Sequence, residues 1–83
     1  LATTRGNYEQ AEDYLQEGLA LARQLSHGEN TILLLTNLGA LYAKRGDQLE
    51  AQEYFEEGLA LAHEMGHHRL EKAILTRQEK LAV

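Results

Sequence analysis

Gly6-Asn-Tyr-Glu-Gln-Ala-Glu-Asp-Tyr-Leu-Gln-Glu-Gly-Leu-Ala-Leu-Ala22 is echoed forty residues later by Gly46-Asp-Gln-Leu-Glu-Ala-Gln-Glu-Tyr-Phe-Glu-Glu-Gly-Leu-Ala-Leu-Ala62. The echo runs on to His27 and His67. Ten of the 22 positions from 6 to 27 are identical: Gly6, Ala11, Tyr14, Glu17, Gly18, Leu19, Ala20, Leu21, Ala22 and His27. Self-similarity at such a period marks stacked supersecondary units, each burying its apolar face against its neighbours. Within the first block Ala11, Leu15, Gly18, Ala22 and Leu25 step by four, three, four and three, one stripe of a helix. Ala51, Phe55, Gly58, Ala62 and Met65 repeat it. Tyr14, Leu21, Tyr54 and Leu61 widen both stripes, as expected of a helix with two neighbours.

Between the blocks, Leu35, Leu38, Gly39 and Tyr42 share a helical face, flanked by Leu34 and Leu41. After the second block Gly66-His-His makes a break, and Leu70, Ile74 and Leu81 give a final helical face. No period-2 strand pattern is present. The sequence therefore predicts an all-α chain of four antiparallel helices over about 7–25, 30–45, 47–65 and 69–82. Asn7, Asn30 and Asp47 are placed to cap helix starts, and Lys44-Arg45 followed by Gly46 suits a helix end. Gly18 and Gly58 fall inside helices, where glycine costs about 1 kcal/mol against alanine. Two such glycines in register are expected to admit a neighbouring helix closely.

The chain of 83 residues carries a net charge of −5 and has neither cysteine nor proline. Without thiols, disulfides and thiolate metal sites are excluded, and cytoplasm is the default expectation. The acidic balance argues against a nucleic-acid partner. No apolar run approaches the roughly 20 residues needed to span a bilayer. The opening Leu1-Ala-Thr-Thr-Arg5 has neither a signal peptide's apolar stretch nor an initiating methionine, so a piece of a longer protein is expected. Ten of the thirteen acids lie in the two echoed blocks, whereas the segment from Gly66 onward carries Arg69, Lys72, Arg77 and Lys80 against Glu71 and Glu79.

These residues resemble the tetratricopeptide repeat. That family places a small residue and an aromatic near the end of its first helix, as in Leu38-Gly39-x-x-Tyr42, then a turn glycine, as in Gly46-Asp47. Its second helix carries alanine, a large apolar residue and a small one, as in Ala51, Phe55 and Gly58, or Ala11, Leu15 and Gly18 in the first unit. The forty-residue unit looks like the longer version found in kinesin light chains and bacterial multidomain regulators, against the usual 34. The resemblance implies an α-solenoid fragment with a partial first repeat at 1–28, a complete second repeat at 29–68 and a terminal helix at 69–83. Tyr14, Leu15, Phe55 and their partners would be repeat-packing residues. Three departures stand out: glycine replaces the usual second-helix alanine at 18 and 58, the unit-ending proline is absent, and Gln78 and Glu79 stand where the register of Leu38 and Gly39 falls.

The resemblance further implies a scaffold that holds a peptide or partner protein in a concave groove lined by opening helices. Asn37 matches an asparagine that clasps peptide backbone in related long repeats, since an amide offers both donor and acceptor. Thr36, Ala40, Ala43 and Lys44 are expected to share its face; a solvated polar face is the alternative. Lys44 alone does not make a basic clamp for acidic peptide ends. His63 and His67 stand four apart and His68 adjoins, but Gly66 interrupts the helix between them, so a solvated loop is expected and no metal or other cofactor is assigned. No catalytic constellation or phosphate-binding loop is present. The rival to a peptide-binding scaffold is a self-assembling segment, as a homodimer or an end-to-end stack of copies.

Overall fold

The computed structural model describes the backbone of residues 3–82 and the side chains of residues 8–80. Four helices follow one another: α1 (Thr3–Gln24), α2 (Gly28–Arg45), α3 (Gln48–Met65) and α4 (His68–Ala82). There is no strand among the described residues. Each helix packs on the next, and α2 also touches α4. The slab measures 42 × 33 × 17 Å, so its thin dimension is that of two helix layers.

Three short turns, of three, two and two residues, set this order. Ser26, Gly46 and Gly66, each twenty residues apart, adopt left-handed φ of 58°, 88° and 70°. In each turn the next amide reaches back five residues: His27 N–H to Ala22 O, Asp47 N–H to Tyr42 O and His67 N–H to Ala62 O, all at 2.9 Å. These bonds satisfy helix carbonyls that would otherwise lack partners. Glycine reaches the left-handed region without strain; serine does so at a cost of about 1 kcal/mol. His27 and Asp47 occupy the N-cap positions of α2 and α3 without side-chain capping bonds.

Two expected caps are corrected. Asn30 lies inside α2, which starts at Gly28. The backbone at Gly6-Asn7 is helical and continuous with α1, so Asn7 is not at a helix start. Gly46 reverses the chain because α2 has α3 to fold back upon; among the described residues no element precedes α1 for Gly6 to reverse against. Leu1, the first residue of the expected partial repeat, and the side chain of Leu81 lie outside the described residues.

The core sits between α2 and α3 and is closed by α4. Ile32, Leu35, Leu38, Ala51, Phe55, Ala62 and Ile74 are almost wholly buried, and Leu19 joins them from α1. Each large side chain so buried contributes about 1.5–3 kcal/mol. Gly39 gives a tight approach inside the core: a Cβ there would lie 2.6 Å from Cε1 of the Phe55 ring. Gly58 is buried but less confined, with a Cβ meeting Ile74 and Leu35 at 3.5 Å. Gly18 faces Leu34, whose Cδ2 would be 3.3 Å away. Tyr14 departs from its expected packing role. It is 78% exposed, whereas its counterpart Tyr54 is half-buried.

Two stability measurements follow from this geometry. Ser26→Gly relieves the strained turn and is expected to raise stability by about 0.5–1 kcal/mol in urea unfolding; a decrease would show that the serine side chain holds the turn. Gly39→Ala is expected to lower stability by about 1–3 kcal/mol through overpacking against Phe55. Gly58→Ala should be neutral or gain up to about 1 kcal/mol from helix propensity, and the reverse ranking of the two alanine variants would contradict the packing described.

Candidate binding groove

Along α2 the residues that do not face α1 or α3 are left for other work. Asn37 and Lys44 are exposed and Ala40 is half-buried, so these three form an accessible strip. Thr36 is corrected. It is 8% exposed, its hydroxyl donates to Ile32 O at 2.8 Å, and it faces Gly58 of α3. One residue of helical rotation from Asn37 takes it from the exposed strip into the core, and the bond to its own helix satisfies the hydroxyl there.

Beside this strip lies α4, and between α2, the start of α3 and α4 runs an open groove of about 400 Å³. Ala40, Ala43 and Phe55 give it apolar surface, Gln48 offers an amide, and Lys44, Arg77 and Lys80 line its sides. All three cations are exposed, and no salt bridge among the described residues engages them. On α2 itself Lys44 is the one cation of this face. Arg77 and Lys80 join it because α4 crosses next to α2, and the signal was available: forty residues back they fall in register with Asn37 and Ala40. Asn37 is on the exposed strip but does not line this groove.

A polar network braces the helix that carries the strip. The Tyr42 hydroxyl donates to the Glu12 carboxylate, and Arg45 Nη1 donates to the same group at 2.9 Å. Tyr42 stacks on Tyr54 with ring centroids 5.4 Å apart and planes 11° from parallel. The Arg45 guanidinium lies 5.2 Å from the Tyr42 ring centre, within cation–π range. Gln16 Nε2 donates to Tyr54 Oη at 2.8 Å, tying α1 to α3. The Tyr42 hydrogen bond, and then Arg45, hold the Glu12 carboxyl below its ordinary range. The same hydrogen bond, with burial, pushes the Tyr42 hydroxyl up.

At the opposite end three histidines lie against carboxylates. His63 Nδ1 lies 2.9 Å and His68 Nδ1 3.6 Å from the Glu71 carboxylate, and His67 Nε2 lies 3.3 Å from Glu29. No group of three or more metal-ligating side chains suited to a metal ion occurs among the described residues. A hollow of about 650 Å³ lies near this end; Arg23 and Glu57 line it and bridge α1 to α3. It carries both signs of charge and no directed polar set. No helix of the described residues is long and apolar enough to cross a membrane.

A family model described as the tetratricopeptide repeat matches residues 1–64. No curated protein and no solved structure matches the chain significantly. The match spans α1 to α3 and stops short of α4, the helix that supplies Arg77 and Lys80.

The Glu12 network gives a pH dependence whose sign is set. Its carboxyl has a lower pKa folded than unfolded, so its contribution is present above the unfolded value, about 4.3, and is lost as pH falls through the folded one. Tyr42 is raised, so its contribution is present below about pH 10 and lost at higher pH. Melting temperature should be level between these limits and fall outside them. Glu12→Gln should cost about 0.5–1 kcal/mol at neutral pH and flatten the acid limb; an unchanged limb would show that Glu12 does not brace α2.

Proposed function

The chain belongs to the tetratricopeptide repeat family, whose members generally act as protein–protein interaction modules, and from this premise we propose that it holds an acidic peptide segment in the groove between α2 and α4. The single observation that carries the reading is the convergence of Lys44, Arg77 and Lys80, from two helices, on one groove floored by Ala40, Ala43 and Phe55. Exposed cations beside apolar surface suit a chain that offers carboxylates and one or two apolar side chains. Asn37 extends the same strip and contributes amide hydrogen bonds to peptide backbone. In this reading 29–68 is the complete repeat, 1–28 a partial one, and 69–83 the terminal helix that supplies the second groove wall. The role is binding without catalysis.

Self-association is the second reading, as a homodimer or an end-to-end stack. The observation that favours it is an exposed apolar stripe along α1 and the turn that follows it, where Tyr14 is 78%, Leu21 55% and Leu25 59% exposed.

Fluorescence anisotropy with a labelled peptide rich in Asp and Glu tests the first reading. Affinity should fall as salt rises. Lys44→Glu combined with Arg77→Glu should weaken binding at least about tenfold, since each reverses a charge at the groove. Asn37→Ala should cost about 1–2 kcal/mol. Unchanged affinity in variants that keep their helical spectrum would remove the groove from consideration.

A further inference from the structure

We propose that the anion held between α2 and α4 is the phosphoryl group of a phosphorylated serine or threonine in a partner's peptide; this rests on the groove reading above and specifies its ligand. In a chain of net charge −5, three cations line one groove, and no carboxylate among the described residues lines it with them. Arg23 pairs with Glu57 and Arg45 with Glu12, whereas no salt bridge among the described residues engages Lys44, Arg77 or Lys80. Like charges gathered in one groove repel, and a bound anion relieves them. This face is not open for want of a following helix. Asn37 and Ala40 hold the register of Arg77 and Lys80 on α2. They stay exposed and half-buried although α3 packs on α2.

Spacing favours one compact dianion over a run of acids. Arg77 and Lys80 stand one helical turn apart on α4, and Lys44 lines the same groove from α2. An extended peptide turns successive side chains to opposite faces, so neighbouring carboxylates do not enter together. Those that point the same way are about 7 Å apart. A phosphoryl group instead brings a charge of about −1.5 to −2 and three acceptor oxygens to one point. The planar fork of Arg77 suits two of those oxygens, and the two lysine ammonium groups add point charges.

The floor sets the length of the side chain that bears the phosphoryl. Ala40, Ala43 and the edge of Phe55 make the base apolar. An aliphatic side chain next to the phosphorylated residue covers this base, and the Gln48 amide offers a donor and an acceptor to the peptide backbone. On serine or threonine the phosphoryl stays close to the backbone, so the apolar and ionic contacts form together. A phosphotyrosine ring would hold the backbone away from the floor.

Peptide libraries on beads test this, with phosphoserine, glutamate or serine fixed at the centre and the flanking positions random. The phosphoserine library should be retained at least about tenfold over the glutamate library and be released by millimolar inorganic phosphate. A phosphoserine peptide selected from it should gain affinity several-fold between about pH 5 and about pH 7.5, as the second phosphoryl proton leaves near pH 6. Lysine and arginine stay charged over that range. No histidine or carboxylate lines the groove, so a glutamate peptide should show no such gain. Arg77→Gln and Lys80→Gln should each lower phosphopeptide affinity at least about fivefold with the helical spectrum unchanged. Lys72→Gln, at an exposed position on α4 that does not line the groove, should leave it unchanged. Equal retention of the phosphoserine and glutamate libraries, lost together in Lys44→Glu with Arg77→Glu, overturns the phosphoryl assignment and leaves the acidic-peptide groove standing. Retention that Lys72→Gln reduces as much as Arg77→Gln shows diffuse charge attraction and overturns the site. Retention of no library overturns both readings.

Discussion

The contact of Phe55 with the backbone of Gly39 is the constraint on which the other packing depends. The ring occupies the space where a side chain at position 39 would begin. It thereby sets a close approach of α2 and α3, and the buried set of Leu35, Leu38, Ala51 and Ala62 closes around it. Everything else is hung on this pair: α1 on one side of α2, and α4 across both helices. Small residues at crossings trade helix propensity for interhelical distance. Here the trade is sharpest at Gly39 and looser at Gly58, where a methyl group would find ordinary contact distances.

Much of this was legible from periodicity. The stripes through Ala51, Phe55 and Ala62 and through Leu35 and Leu38 are the buried faces, because the 3.6-residue period reports burial directly. Helix starts were less legible. Asn7 and Asn30 have the right chemistry for caps, but the turns are set by left-handed residues at 26, 46 and 66, and only two of these are glycines. Ser26 gives no local signal; its position is clear only in register with the other two turns. Tyr14 was misread for a different reason. Its sequence matches Tyr54, but burial depends on a neighbour that a match cannot supply.

The groove shows the same division. Asn37, Ala40 and Lys44 were found because they lie on one helix, where spacing fixes direction. Thr36 was misplaced because adjacent positions are about 100° apart around a helix, enough to carry a residue from surface to core. Arg77 and Lys80 come from another helix, so only the crossing of α2 and α4 brings them to Lys44. Local patterns thus reveal which face a residue occupies, and tertiary contact decides which faces meet.

The nearest-neighbour order of the helices also shapes how the chain folds. Every turn spans two or three residues, and almost all tertiary contact is between consecutive helices. Little loop-closure entropy is lost before contacts form, so such a topology folds in microseconds to milliseconds. The same linear order allows opening from the ends inward, with the α2–α3 pair last to yield. Any ligand that clasps α2 and α4 together would therefore act as a latch on one end, slowing hydrogen exchange in α4 without changing the shape of the core.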